Sequence, residues 1–123
     1  MSEPATNPPL PSMNLTFRHS HHKFSIRPSN GQYVTVSDVL YGIHVVLHQP
    51  LPDKDIRRHA RHGKSDHLLT AYHRRCNSAP HRAHVDHNLR QGYKLLDTFF
   101  GLFIFDGVSP STSMPGVFYV DLR

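Results

Sequence analysis

The chain carries twelve histidines, and their spacing is the first place where chemistry can be sought. His44 and His48 are four residues apart, and His81, His84 and His87 recur every third residue, so each set can share one face of a helix. Zinc sites close around three or four ligands, yet the chain has one cysteine and no His-Glu-x-x-His motif. No metal ligand and no cofactor is therefore assigned. The histidines are expected to be solvated or locally hydrogen-bonded, with adventitious uptake of nickel or zinc at exposed pairs. Cys76 has His73 one turn before it, the outline of a thiol nucleophile and its base, but it falls on an apolar stripe and is expected to pack as a buried thiol. Two histidines could run acid-base cleavage of RNA, one accepting a proton and the other donating it, although no spacing selects a pair. With one Glu, no Gly-rich phosphate loop and no Gly-x-Ser-x-Gly elbow, no catalytic residue is assigned and the chain reads as a non-enzyme.

Basic residues are the second resource. Between Lys54 and Lys94 stand ten Lys and Arg against Asp55, Asp66 and Asp86, a local charge of +7. Such a segment attracts phosphates if it folds onto one face. Arg57, Arg58, Arg61, Arg74, Arg82 and Arg90 form the candidate interaction surface. No zinc finger, RNP-like strand or recognition helix accompanies them, and Tyr33, Tyr72 and Tyr93 read as packing residues before stacking platforms. Asp38 complements a helix N-terminus, and Asp97 is expected to pair with Arg74 or Arg75 as a structural device.

The elements that must position these groups follow from hydrophobic period. Met13 to Phe17 and the alternation around Phe24 and Ile26 read as two strands of a hairpin turning at Arg18 to His22, with a short strand at Tyr33 to Val36. Ser37 is the expected N-cap of a helix that carries Val39, Leu40, Ile43, Val46 and Leu47 and ends at Gln49. Pro52 opens a short helix over Asp53 to Arg61, with Ile56 and Ala60 as its apolar face. Ser65 or Asp66 caps a third to about Asn77, with Leu68, Leu69, Tyr72 and Cys76 on one stripe. Pro80 to Gln91 reads as a loop or a solvated helix. Lys94 to Val108 is the most apolar stretch, expected in the core as strand-length pieces divided at Gly101 and Gly107, and Val117 to Leu122 is a terminal strand. The fold class is α+β, a mainly antiparallel sheet with about three helices between N-terminal and C-terminal strands.

Length and composition set the bounds. With 123 residues, 37% of them hydrophobic, the chain suits one packed domain over 13–123 after a Pro-rich extended lead-in over 1–12. Its lone cysteine excludes an intrachain disulfide. No signal-like start and no run of about 20 apolar residues is present, so an intracellular protein, cytoplasmic or nuclear, with no membrane contact is expected.

Several motifs in order carry a resemblance: Glu3-Pro4-Ala5-Thr6-Asn7-Pro8-Pro9-Leu10, Val34-Thr35-Val36-Ser37-Asp38-Val39-Leu40, Tyr72-His73-Arg74-Arg75-Cys76, and Gly92-Tyr93-Lys94-Leu95-Leu96-Asp97 followed by Gly101, Phe105 and Gly107 to Pro110. Together they resemble the fungal (basidiomycete) family called domain of unknown function 6699 over nearly the whole chain. Members usually carry a basic residue near Leu95, and its replacement here leaves that position without an assigned role; members often have a further segment before the Glu3 region, and if that segment supplies an edge strand an exposed sheet edge is expected here. The resemblance implies no activity. The expected role is a small non-enzymatic module that binds another macromolecule, a protein partner first, with nucleic-acid binding through 54–94 as the alternative and a His-dependent nuclease or metal enzyme third.

Overall fold

A computed structural model describes residues 2–18, 22–100 and 104–123. Its contacts fall into two compact units, Met1–Val46 with Phe103–Arg123, and Leu47–Leu102.

The first unit is built on strands β1 (Met13–Phe17), β2 (Lys23–Ile26), β3 (Phe105–Pro110) and β4 (Val117–Leu122), with helix α1 (Val36–Leu47). The strand order is β2-β1-β4-β3. β1 pairs antiparallel with β2 and parallel with β4, and β3 pairs antiparallel with β4. The sheet is therefore mixed, where a mainly antiparallel one was expected. Local alternation reports which residues face the core and is silent about the neighbouring strand; the long chain between β2 and β3 is what allows β4 to return parallel to β1. Leu15, Phe17, Ile26 and Val120 are buried on the strands, and Val39, Ile43 and Leu47 recur every fourth residue on the buried side of α1. Gly42 sits where α1 meets β2: a Cβ there would lie 2.0 Å from Ile26 Cδ1.

Thr35, and not Ser37, caps α1. The Asp38 N–H donates to Thr35 Oγ1 at 3.1 Å, and the Thr35 N–H donates back to Asp38 Oδ2 at 3.0 Å, a reciprocal capping box. Val36 is already helical, so the strand expected at Tyr33 to Val36 shrinks to one bridge between Thr35 and Pro4. The Pro-rich lead-in is strapped to this segment: the Ala5 N–H donates to the Val34 carbonyl at 2.9 Å, the Val34 N–H to Leu10 at 2.8 Å and the Val36 N–H to Glu3 at 3.1 Å. The Arg18 to His22 turn lies partly outside the described residues.

The second unit holds α2 (Asp53–Arg61), α3 (Ser65–Asn77), α4 (Arg82–Gln91) and a 3-10 turn, η1 (Leu95–Phe99); with α1, four α-helices stand among the described residues where about three helices were expected. α3 packs against α2, α4 and η1. Of Pro80 to Gln91, read as loop or solvated helix, Arg82–Gln91 is helical: Val85 is buried and the Tyr72 hydroxyl donates to the Leu89 carbonyl, while Gly92 ends the helix at φ 77. On α3 the buried side is Leu68, Ala71 and Cys76; Leu69 is 42% exposed, off the expected stripe. Ala60 is exposed on α2, leaving that helix to lean on Ile56 and on Asp55, a buried carboxylate met by Arg58.

Among its described residues, the apolar stretch from Lys94 to Val108 is core only at its start. Leu95 and Leu96 are buried, but Phe100, Ile104 and Phe105 are exposed to 41, 55 and 40%. It divides into η1 and β3; the division expected at Gly101 lies outside the described residues, while Gly107 (φ 133) marks the register shift in the β3–β4 pair. Among the described residues no helix is long and apolar enough to cross a membrane.

Candidate functional site

Charge separates the two units. The sheet unit holds Arg18, Lys23, Arg27 and Arg123 against Glu3, Asp38, Asp106 and Asp121, a net of zero with histidine neutral. The helical unit holds ten Lys and Arg against five Asp, so the whole +5 of the chain resides there. Within it, Asp55 pairs with Arg58, Asp97 with Arg75 and Asp86 with Arg82. Lys54, Arg57, Arg61, Lys64, Arg74 and Arg90 form no ion pair with a described residue.

A groove of about 360 Å³ runs along α3, lined by Lys64, His67, Thr70, Ala71, Arg74 and Phe100. Lys64, His67, Ala71 and Arg74 follow the i, i+3, i+7, i+10 spacing of one helix face, and Thr70, three after His67 and four before Arg74, borders it, which is why one side of α3 presents a lysine, an imidazole, a hydroxyl and a guanidinium together. From Lys64 to Arg74 the helix rises about 15 Å. Phe100 supplies the opposite wall. Its ring meets His67 edge-on at 5.7 Å and His59 of α2 at 6.1 Å, and the His59 ring is held by its Nδ1 at 2.8 Å from the Asp55 carbonyl.

The position of Phe100 is imposed by a buried ion pair. Arg75 Nε donates to Asp97 Oδ1 at 2.8 Å, Arg75 Nη2 to Asp97 Oδ2 at 3.0 Å and to the Gly92 carbonyl at 3.1 Å, and the Lys94 N–H donates to Asp97 Oδ2 at 2.9 Å. The Asp97 side chain is 0% exposed and that of Arg75 10%. Burial opposes the Arg75 charge, but the hydrogen bond and the attraction of Asp97 outweigh it and hold the guanidinium above its ordinary pKa. This pair locks η1 to α3, and the Phe100 N–H donates to the Asp97 carbonyl at 3.2 Å in a left-handed conformation, φ 52 and ψ 41. A non-glycine residue there stores backbone strain, a frequent mark of functional positions.

The structure places the expected residues as follows. Of the two arginines proposed for Asp97, Arg75 makes the pair. Of the six arginines taken as the interaction surface, Arg74 alone lines the groove; Arg57 and Arg61 are exposed on α2, Arg58 is tied to Asp55, and Arg82 and Arg90 sit at the two ends of α4. Lys64, His67, Thr70 and Phe100 were missed: the first three share helical spacing with Arg74, a signal present in the sequence, whereas nothing local announces Phe100. Cys76 is buried and burial pushes its thiol up, which opposes a nucleophilic role. Tyr72 packs at 4.9 Å from Tyr93, with its hydroxyl pushed up by burial. His81 meets His84 edge-on at 5.5 Å, His87 Nε2 lies 3.1 Å from Gln91 Nε2, and among the described residues no three His, Cys, Asp or Glu are grouped to hold a metal ion.

A larger recess of about 440 Å³ lies in the sheet unit, among residues that include Met13, Val39, Leu40, Phe105, Val108 and Phe118. None of its lining residues is charged, so it has far less to orient a ligand with than the α3 groove. No curated protein and no solved structure matches the chain. A family model does match, over residues 1–116, and the chain therefore belongs to that family of unknown function (DUF6699).

Proposed function

We propose that the chain is a non-enzymatic binding module that docks an anionic macromolecule on its helical unit, along the α3 groove. The observation that carries this reading is the confinement of the net charge to Leu47–Leu102, with Lys64 and Arg74 on one helix face and in no ion pair with a described residue. Cations left without carboxylate partners raise the local concentration of polyanions and speed encounter. The residues best suited to chemistry support binding over turnover: Asp55 and Asp97 are committed to arginines and Cys76 is enclosed. We place this activity inside the cell, cytoplasmic or nuclear, in a fungus, on the grounds of the lone cysteine and the family resemblance.

Binding of labelled polyglutamate and of an oligonucleotide, each titrated across salt, tests the reading. The full chain binds at least one of them at low salt and loses affinity as salt rises, and Lys64→Gln with Arg74→Gln weakens binding and flattens that dependence. Equal affinity in the parent and the double variant sinks it.

A further inference from the structure

We infer that the anionic partner is a single-stranded nucleic acid, with Lys64 and Arg74 on its phosphates and the Phe100 ring stacked on a base. This inference rests on the proposed function and narrows it to one chemistry. An acidic peptide would need only the cations. The groove sets an aromatic side chain, 41% exposed, opposite a wall made of Lys64, His67, Thr70, Ala71 and Arg74. Aromatic faces beside a cationic track are the combination that holds unpaired bases without regard to sequence. The cations are separated by about 15 Å along the axis of α3, a spacing suited to successive charges on a chain more than to one phosphate. Arg74 offers a planar fork and Lys64 a point charge, both competent for phosphate oxygens.

Phe100 is also held where solvation alone would not put it. Its backbone is left-handed, and the hydrogen bond from its N–H to the Asp97 carbonyl belongs to the turn anchored by Arg75. An exposed ring on a strained, anchored backbone, flanked by the His59 and His67 rings, is already positioned beside the cations, so little ordering remains to oppose binding.

The experiment uses the full chain and three labelled probes: an oligothymidylate of about twelve residues, within the usual footprint of single-strand binders, an abasic phosphodiester strand of equal length, and polyglutamate of equal charge. Anisotropy is read at low salt for the parent, Phe100→Leu and Phe100→Tyr. Leucine keeps apolar cover at the position and removes the ring. The expected result is a loss of about 5- to 100-fold for oligothymidylate in Phe100→Leu, recovery in Phe100→Tyr, and no change on the abasic strand. If oligothymidylate and polyglutamate bind alike and Phe100→Leu changes neither, the nucleic-acid inference is overturned while the anionic groove stands. Absence of binding to all three probes overturns both.

Discussion

Replacing Asp97 by asparagine removes one charge from the most enclosed ion pair of the helical unit, and the geometry fixes what the new amide would meet. Oδ1 accepts from Arg75 Nε, while Oδ2 accepts from both Arg75 Nη2 and the Lys94 N–H. Asparagine must place its NH2 at one of these positions, so either rotamer sets donor against donor. Arg75 would remain charged and nearly buried, keeping the Gly92 carbonyl and one bond to the amide oxygen but no counter-charge. Breaking a buried pair by removing one partner costs about 3–5 kcal/mol; the 10% exposure of Arg75 argues for the lower end. With a urea slope of about 1–3 kcal/mol/M for a small protein, the midpoint should fall by about 1 M or more. Urea unfolding followed by helical circular dichroism measures this. Asp97→Leu combined with Arg75→Met, which removes both charges, should recover at least part of the loss, since apolar replacement of a buried pair is often neutral or better. An unchanged midpoint in Asp97→Asn, or a double variant less stable than the single one, would refute the assignment of this pair as the anchor of η1.

Other expectations concern the sheet unit. Thr35→Ala should lower stability by about 1 kcal/mol and Ser37→Ala by less than about 0.5 kcal/mol; equal effects would return the cap to Ser37. The Asp38 carboxyl is held below the usual carboxylate range by the Thr35 N–H, aided by Ser29. A lowered folded pKa stabilises above the unfolded value of about 3.9 and ceases to do so as pH falls through the folded one. The stability gap between the parent and Asp38→Asn should thus close under acid, and a gap that persists there defeats the argument. Gly42→Ala should cost about 1–3 kcal/mol by overpacking Ile26, despite alanine's better helix propensity. Ile26→Val removes the clashing Cδ1, so the double variant should be more stable than the two single losses added together predict; simple additivity in chemical denaturation would count against the close approach.

How much was legible depended on whether a signal was local. α2 and α3 were readable because Pro52 starts one and a 3.6-residue apolar period runs through the other. The Asp97 pairing was readable in part, because a carboxylate beside Leu95 and Leu96 must find a cation and α3 carries two adjacent arginines; helix phase, which the structure supplies, decides for Arg75 over Arg74. The mixed sheet was not, since the alternation in Val117–Leu122 is the same whichever strand lies beside it. Thr35 and Ser37 are both good capping residues two positions apart. The deciding fact was Asp38 three residues after Thr35, a reciprocal spacing visible in the sequence but compatible with either start until the Val36 backbone is known to be helical.

The groove shows the same division at the level of function. Charge counted along the chain selects a segment, and that segment holds ten cations spread over three helices and the turns between them. Helical spacing selects a face, and on α3 it selects Lys64, His67 and Arg74. Neither operation reaches Phe100, which stands at the end of a short 3-10 turn and faces α3 because Asp97, three residues earlier, is bound to Arg75. Arg74 and Arg75 are thus neighbours with opposite duties. One side chain points into the groove, and the next, about 100° around the helix, holds the turn that brings the aromatic wall to it. A stabilising contact and a binding surface are built from consecutive residues, so loss of the buried pair would misplace Phe100 as well as weaken the unit.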